Sequence, residues 1–307
     1  MSILVFGHKN PDTDTICSAI AYAELKGKLG KDVKAVRLGE VNEETKFVLN
    51  YFKVEKPELI ESVSGKEIML VDHNERTQTA DGFEEAKVLE LVDHHRISNF
   101  NVDEPLYVRM EPVGCTATII LKLFKENNLL PAPTTAGLML SAIVSDTLLF
   151  KSPTCTECDV KAGKELAEIA GVNIEEYGLE MLKAGTDLGG KSESELINMD
   201  MKIFEVDGSK IGVAQVNTVN EAELLERKEK LLVEINNIIK KEELKFFIFA
   251  ITNILSNDST GIVAGDGNAI IEKAFNEKID NNLIALKGVV SRKKQIIPPL
   301  TKAIQEA

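Results

Sequence analysis

The chain contains no tryptophan, and its aromatic residues make up only 5% of the total. Proteins that hold single-stranded nucleic acid stack its bases on aromatic rings, so this scarcity removes one support for such a partner. Positive charge is also in short supply. Thirty-six lysines and arginines face 49 aspartates and glutamates, a formal net charge of −13. Nucleic-acid binders present net basic surfaces, so a nucleic acid is excluded as the main partner, and a chain this acidic must gather cations locally to handle any anion. No apolar run approaches the roughly 20 residues needed to cross a bilayer. The segment opening at Met1-Ser2-Ile3 has no basic leader, and the expectation is a cytoplasmic protein without a membrane partner. Cysteine is sparse as well. Cys155 and Cys158 have metal or redox spacing but no second pair, so Cys17, Cys115, Cys155 and Cys158 read as structural thiols.

There are also only four histidines, and their placement is informative. Ile3-Leu4-Val5-Phe6 runs into Gly7-His8-Lys9-Asn10-Pro11-Asp12-Thr13-Asp14, Ile68-Met69-Leu70-Val71 into Asp72-His73, and Val88 to Val92 into Asp93-His94-His95. Each apolar run reads as a buried strand, and each ends on aspartate and histidine. In an open parallel sheet the carboxyl ends of the strands line the ligand crevice. Carboxylates mixed with imidazoles suit Mn²⁺, Mg²⁺, Fe²⁺ or Co²⁺ better than an ion that prefers thiolates. The plainer reading of Asp12 and Thr13 is that they cap a following helix.

Along the chain, helices are expected over 16–29 and 43–52, and a strand over 33–38. This alternation of strand and helix is what a parallel sheet requires. A short strand over 106–109 precedes a helix running to about Asn127, with Thr116 as its cap. A nearly all-apolar helix over 134–147 ends in Ser145-Asp146-Thr147, where the carboxylate either caps the next turn or points into a metal crevice. Helices over 159–170 and 174–183 complete this unit. The glycine-rich stretch around Gly189-Gly190 reads as a linker, giving domains 1–186 and 193–307 joined by 187–192. Beyond it come a β-hairpin turning at Asp207-Gly208, a long amphipathic helix over 221–241 and a buried strand over 245–255. Gly261 to Asn268 reads as a plain turn rather than a phosphate cradle. Ser291-Arg292-Lys293-Lys294-Gln295 is either a solvated basic edge or an anion clamp.

Together, Gly7 to Asp14, Asp72-His73-Asn74-Glu75, Asp93-His94-His95, Val113-Gly114-Cys115-Thr116-Ala117-Thr118, Ser145-Asp146-Thr147 and Ser291 to Gln295 resemble the family II, manganese-dependent inorganic pyrophosphatases of the DHH phosphoesterase superfamily. The match extends from residue 3 to residue 297. The resemblance implies an α/β protein, with an N-terminal parallel-sheet DHH domain, a smaller C-terminal α/β substrate-binding (DHHA2) domain, and the active site in the cleft between them. It implies hydrolysis of pyrophosphate to two phosphates, by in-line attack of a hydroxide shared between two metal ions. His8, Asp12, Asp72 and Asp146 would hold one Mn²⁺, and Asp14, Asp72, His94 and Asp146 the second. Co²⁺ is an expected substitute, and a further Mg²⁺ or Mn²⁺ would arrive with the substrate. His95 would act on the substrate as an acid, and Lys202, Arg292 and Lys293 would bind its phosphates. Relatives also imply a homodimer. The alternative is another DHH phosphoesterase, acting on polyphosphate, oligonucleotides or cyclic dinucleotides. Such relatives carry a Gly-Gly-Gly-His stretch where this chain has Gly288-Val289-Val290-Ser291-Arg292.

Overall fold

The structure is a computed structural model that describes residues 2–97, 99–186 and 188–306. It divides into two compact units, Met1–Gly185 and Thr186–Ala307. The expected linker begins at Asp187, which lies outside the described residues, and the nearby Leu188 is packed into the second unit's core.

The first unit is built on a six-stranded sheet of β1 (Ile3–Phe6), β2 (Val33–Arg37), β3 (Glu58–Leu59), β4 (Glu67–Val71), β5 (Lys87–Asp93) and β6 (Tyr107–Met110). Every pairing is parallel and the order is β3-β2-β1-β4-β5-β6. The chain therefore winds outward one way from β1 through β2 and the other way from β4. The switch between β1 and β4 opens the crevice where such sheets bind ligands. Val5, Phe6, Ile68, Met69, Val71 and Val92 are fully buried, as strands covered on both faces require. The helices are α1 (Thr13–Lys28), α2 (Glu43–Tyr51), α3 (Thr116–Glu126), α4 (Pro133–Asp146), α5 (Glu157–Ala170) and α6 (Ile174–Gly185). Two one-turn 3₁₀ segments, Arg76–Gln78 and Phe83–Glu85, fill the polar stretch between β4 and β5.

Two expectations need correction here. Helix α1 begins at Thr13 rather than Ile16, because Asp12 is its N-cap and accepts the Thr15 N–H at 2.9 Å. Thr116 is not the cap of α3 but its first residue; Cys115 holds the cap position without a side-chain bond to the helix.

The second unit contains a five-stranded mixed sheet, ordered β11-β10-β9-β8-β7. Its strands are β7 (Met201–Val206), β8 (Ser209–Thr218), β9 (Phe246–Asn253), β10 (Asp258–Gly265) and β11 (Leu283–Leu286). The hairpin between β7 and β8 turns where expected, with Asp207 and Gly208 both left-handed. The central β9 is buried on both faces: Phe247 and Phe249 enter one core, and Phe246 and Ile248 the other. Each such side chain contributes about 1.5–3 kcal/mol by leaving water. The expected long helix is two, α8 (Glu221–Glu226) and α9 (Lys228–Glu242), broken at Arg227. Arg227 turns back to Glu193 at 2.9 Å, the first residue of the unit's opening helix, α7 (Glu193–Asn198). The unit closes with α10 (Asn268–Phe275), one turn of π-helix over Arg292–Ile296, and α11 (Ile297–Gln305). The stretch expected as a turn is strand β10 as far as Gly265, and the glycines at 261, 265 and 267 lie against Ile284, the Lys245 carbonyl and Phe246, so they serve packing.

Candidate metal centre

The ends of β1, β4 and β5 bring their polar residues to one place. His8 follows β1, Asp72 follows β4, and His94 follows β5. Asp12 and Asp14 come from the first turn of α1, and Asp146 is the last residue of α4. Asp72 is central. Its Oδ2 lies 3.6 Å from His8 Nε2, and its Oδ1 lies 3.5 Å from His94 Nε2 and 3.7 Å from His95 Nδ1. Asp12 Oδ2 lies 3.3 Å from His8 Nε2, while Asp146 Oδ2 and Asp14 Oδ2 lie 3.8 Å and 4.0 Å from His94 Nε2. Asp12 therefore does both things the sequence allowed, capping α1 and facing the crevice. Asp72 has φ of +58°, a left-handed geometry that non-glycine residues hold only where their surroundings enforce it.

Hydroxyl and amide donors orient these groups. Thr15 Oγ1 donates to Asp72 Oδ2 at 2.7 Å, and Thr116 Oγ1 to Asp72 Oδ1 at 3.1 Å. Asp14 accepts from Ser18 Oγ at 2.5 Å and from the Thr116 N–H at 2.7 Å. His94 Nδ1 is 3.0 Å from the Val113 carbonyl, a contact that puts the proton on Nδ1 and frees Nε2 as a ligand atom. His95 Nδ1 is 2.9 Å from Asp93 Oδ1, and Asp93 in turn accepts from Asn74 Nδ2 at 2.6 Å. His73, the remaining histidine, is spent locally. Its Nδ1 bonds to the Val71 carbonyl, and burial lowers its pKa to about 4.

The electrostatics show what kind of partner the site suits. Burial, then the charge of Asp14, pushes Asp72 up to about 7, and Asp146 is held well above the carboxylate range by burial and by Asp14 and Asp72. Burial opposes a charge on His94, but the hydrogen bond to Asp72 and the nearby carboxylates outweigh it and raise His94 to about 9. Among the described residues, no lysine or arginine forms an ion pair with Asp12, Asp14, Asp72 or Asp146. Four carboxylates without cationic side chains, interleaved with imidazole nitrogens, form a donor set of the hard to borderline kind that divalent manganese takes. His8, Asp12 and Asp72 can share one ion, as can Asp72, His94 and His95, or Asp14, Cys115 and Asp146. The residues fit such an ion.

Sequence reasoning did not assign Thr15, Ser18, Thr116 or Asn74 to the site. Thr116 was visible within a matched motif but was read as a cap. Cys115 was read as an inert thiol, yet its sulfur stands within 4.8 Å of ligand atoms of Asp14 and Asp146, where burial raises its pKa well above the ordinary thiol value.

The predicted phosphate-binding residues all lie in the second unit. Lys202 is exposed on β7, and Lys293 is exposed in the π-helical turn. Arg292 is gripped by Asp200: its Nη2 lies 2.9 Å from Asp200 Oδ1, and its Nη1 donates to the Asp200 carbonyl. Gln215 holds the turn by accepting the Arg292 N–H at 2.9 Å and donating to the Val290 carbonyl at 3.0 Å. Ser291 caps it, accepting the Lys294 N–H at 3.3 Å. This stretch is a built loop rather than a loose basic edge.

A parallel-sheet unit presenting carboxylates and imidazoles at its switch point, followed by a mixed-sheet unit, defines a DHH-type protein with a DHHA2 partner domain. The model of the DHH family N-terminal domain matches residues 2–143, and that of the DHHA2 domain matches 179–303. A protein of Exiguobacterium sp. described as a probable manganese-dependent inorganic pyrophosphatase is 60% identical over 98% of both chains. One of Bacillus cereus with the same description is 56% identical over 99% of both. A solved structure of a putative family II inorganic pyrophosphatase from Methanococcus jannaschii is 44% identical, with a TM-score of 0.64, covering 99% of this chain and 100% of that one. This chain belongs to the manganese-dependent, family II inorganic pyrophosphatases. Among the described residues no helix is long and apolar enough to cross a membrane.

Proposed function

We propose that this protein hydrolyses inorganic pyrophosphate to two phosphates at a pair of Mn²⁺ ions. The observation that carries the reading is the position of Asp72, with one carboxylate oxygen toward His8 and the other toward His94. One ion would be held by His8, Asp12, Asp72 and Asp146, the other by Asp14, Asp72, His94 and Asp146. When bound, the ions neutralise substrate charge and lower the pKa of water toward neutrality. A water oxygen, having given up a proton to solvent, attacks one phosphorus in line with the bridging P–O bond, that bond breaks, and the departing phosphate oxygen takes a proton. His95 supplies that proton. The hydrogen bond to Asp93 raises its pKa, keeps Nδ1 protonated and leaves Nε2 for the substrate. Asn74 steadies Asp93 behind it. Lys202, Arg292 and Lys293 supply the cationic contacts to phosphate that an acidic first unit lacks. We also assign catalysis to residues 1–186 and substrate binding to residues 193–307.

The experiment is phosphate release by the Mn²⁺-loaded protein from pyrophosphate, from a short polyphosphate and from a dinucleotide, assayed separately. Turnover of pyrophosphate far above the other two is expected. Faster cleavage of polyphosphate or the dinucleotide would assign the chain to another DHH phosphoesterase activity.

A further inference from the structure

Asp159 lies on none of the segments that carry the expected ligands, yet it is fully buried and bridges two distant parts of the first unit. Its Oδ2 accepts from the Thr156 N–H at 2.7 Å, from Thr156 Oγ1 at 2.6 Å and from the Gly114 N–H at 2.9 Å; its Oδ1 accepts from Thr118 Oγ1 at 2.6 Å. The bond from the Thr156 N–H is one half of the capping box that starts α5, and the Thr156 hydroxyl reinforces it. The other two reach back more than forty residues and clamp the segment from Gly114 to Thr118.

That segment, together with Val113 just before it, touches three of the expected ligands. The Val113 carbonyl meets His94 Nδ1 at 3.0 Å, the Thr116 N–H meets Asp14 Oδ2 at 2.7 Å, and Thr116 Oγ1 meets Asp72 Oδ1 at 3.1 Å. Cys115 makes no side-chain bond to the helix it caps, so the start of α3 is not fixed by its own cap. Space is tight on the same side. A Cβ on Gly114 would stand 2.9 Å from Asp159 Oδ2 and 2.9 Å from Thr147 Cγ2, and Thr147 directly follows Asp146.

We infer that Asp159 is a positioning residue of the metal centre, locking residues 113–118 so that His94, Asp14 and Asp72 are oriented before an ion arrives. This rests on the reading of the site as a Mn²⁺ centre. Partners that orient metal ligands from behind typically change metal affinity by about 10–100-fold when removed.

The test is Mn²⁺ titration of the full chain stripped of divalent ions, followed by calorimetry and by the electron paramagnetic resonance of the bound ions. Asp159→Ala is expected to weaken Mn²⁺ binding by about 10–100-fold and to alter the resonance. Asp159→Asn should restore both, because its amide oxygen can accept from Gly114 and Thr156 while its nitrogen donates to Thr118 Oγ1. Thr156→Ala cuts the capping box without releasing Gly114, so it should lower the melting temperature and leave Mn²⁺ affinity unchanged. Gly114→Ala pushes the segment off Asp159 from the other side and should weaken Mn²⁺ as Asp159→Ala does, which keeps the test open if the latter does not fold. Wild-type uptake of Mn²⁺ with unchanged affinity in both Asp159→Ala and Gly114→Ala would overturn this inference alone. A wild-type chain that takes up no Mn²⁺ would overturn the metal-centre reading and this inference with it.

Discussion

Asp72 Oδ1 and His94 Nε2 lie 3.5 Å apart, while the second oxygen of Asp72 faces His8 at 3.6 Å. One carboxylate thus serves both halves of the site, and its neighbours fall on one side or the other. Counting manganese in purified variants tests this. Asp72→Ala is expected to lose both ions and His8→Ala mainly one. Asp146→Ala should also loosen both, because burial among Asp14 and Asp72 leaves its charge unbalanced without a cation. Two ions held by Asp146→Ala at wild-type affinity would make Asp146 a structural helix end.

Metal removal is the second prediction. With oxygen and imidazole ligands in the majority, prolonged chelation should abolish turnover and Mn²⁺ or Co²⁺ should restore it, whereas Zn²⁺ should bind tightly and support less. Activity that persists in excess chelator after time for exchange would rule out a metal-dependent reaction.

The third concerns pH in the stripped protein. Asp72 is raised to about 7 from an unfolded value near 4, and His94 to about 9 from one near 6.5, so the folded chain binds these protons more tightly than the unfolded chain. Their stabilisation is complete below the unfolded values and is lost as pH rises through about 7 and about 9. Manganese competes with the same protons, so it binds better as pH rises. Melting curves between pH 6 and 9 should therefore show the metal-free protein losing stability while the increment given by Mn²⁺ grows. An increment that shrinks with rising pH would remove these two groups from the ligand set.

The fourth concerns the built loop of the second unit. Arg292→Ala and Lys293→Ala should leave manganese content intact and raise KM for pyrophosphate. A charge-assisted contact is worth about 1.5–3 kcal/mol, so about ten- to a hundredfold is expected. Arg292→Lys should recover only part of the loss at Arg292, because an ammonium lacks the two-pronged donor that also grips Asp200. Steady-state kinetics at saturating Mn²⁺ decide this, and unchanged KM and kcat in both alanine variants would leave the loop without a substrate role.

Much of this was legible in the sequence. Strands β1, β4 and β5 announced themselves as apolar runs closed by aspartate and histidine, and period and turn chemistry placed the hairpin at Asp207-Gly208. What could not be read was how tertiary contacts redirect local signals. Thr116 has the chemistry of a cap, but its hydroxyl goes to Asp72 because β4 ends beside it. The long amphipathic pattern after Glu221 looked continuous, yet Arg227 leaves helical geometry where it reaches Glu193. The sequence places Asp159 at the start of an expected helix, but nothing in it links the residue to Gly114, forty-five positions earlier.

Helix α3 begins with its first amide pointed at a carboxylate expected to hold metal, since the Thr116 N–H bonds to Asp14 where a conventional cap would sit. Charge drawn from Asp14 by an arriving ion is charge withdrawn from that hydrogen bond. The amide of Thr116 is therefore a built-in gauge of site occupancy: its nitrogen chemical shift and its solvent exchange would register loading from inside the backbone, with no label attached to the metal or the substrate.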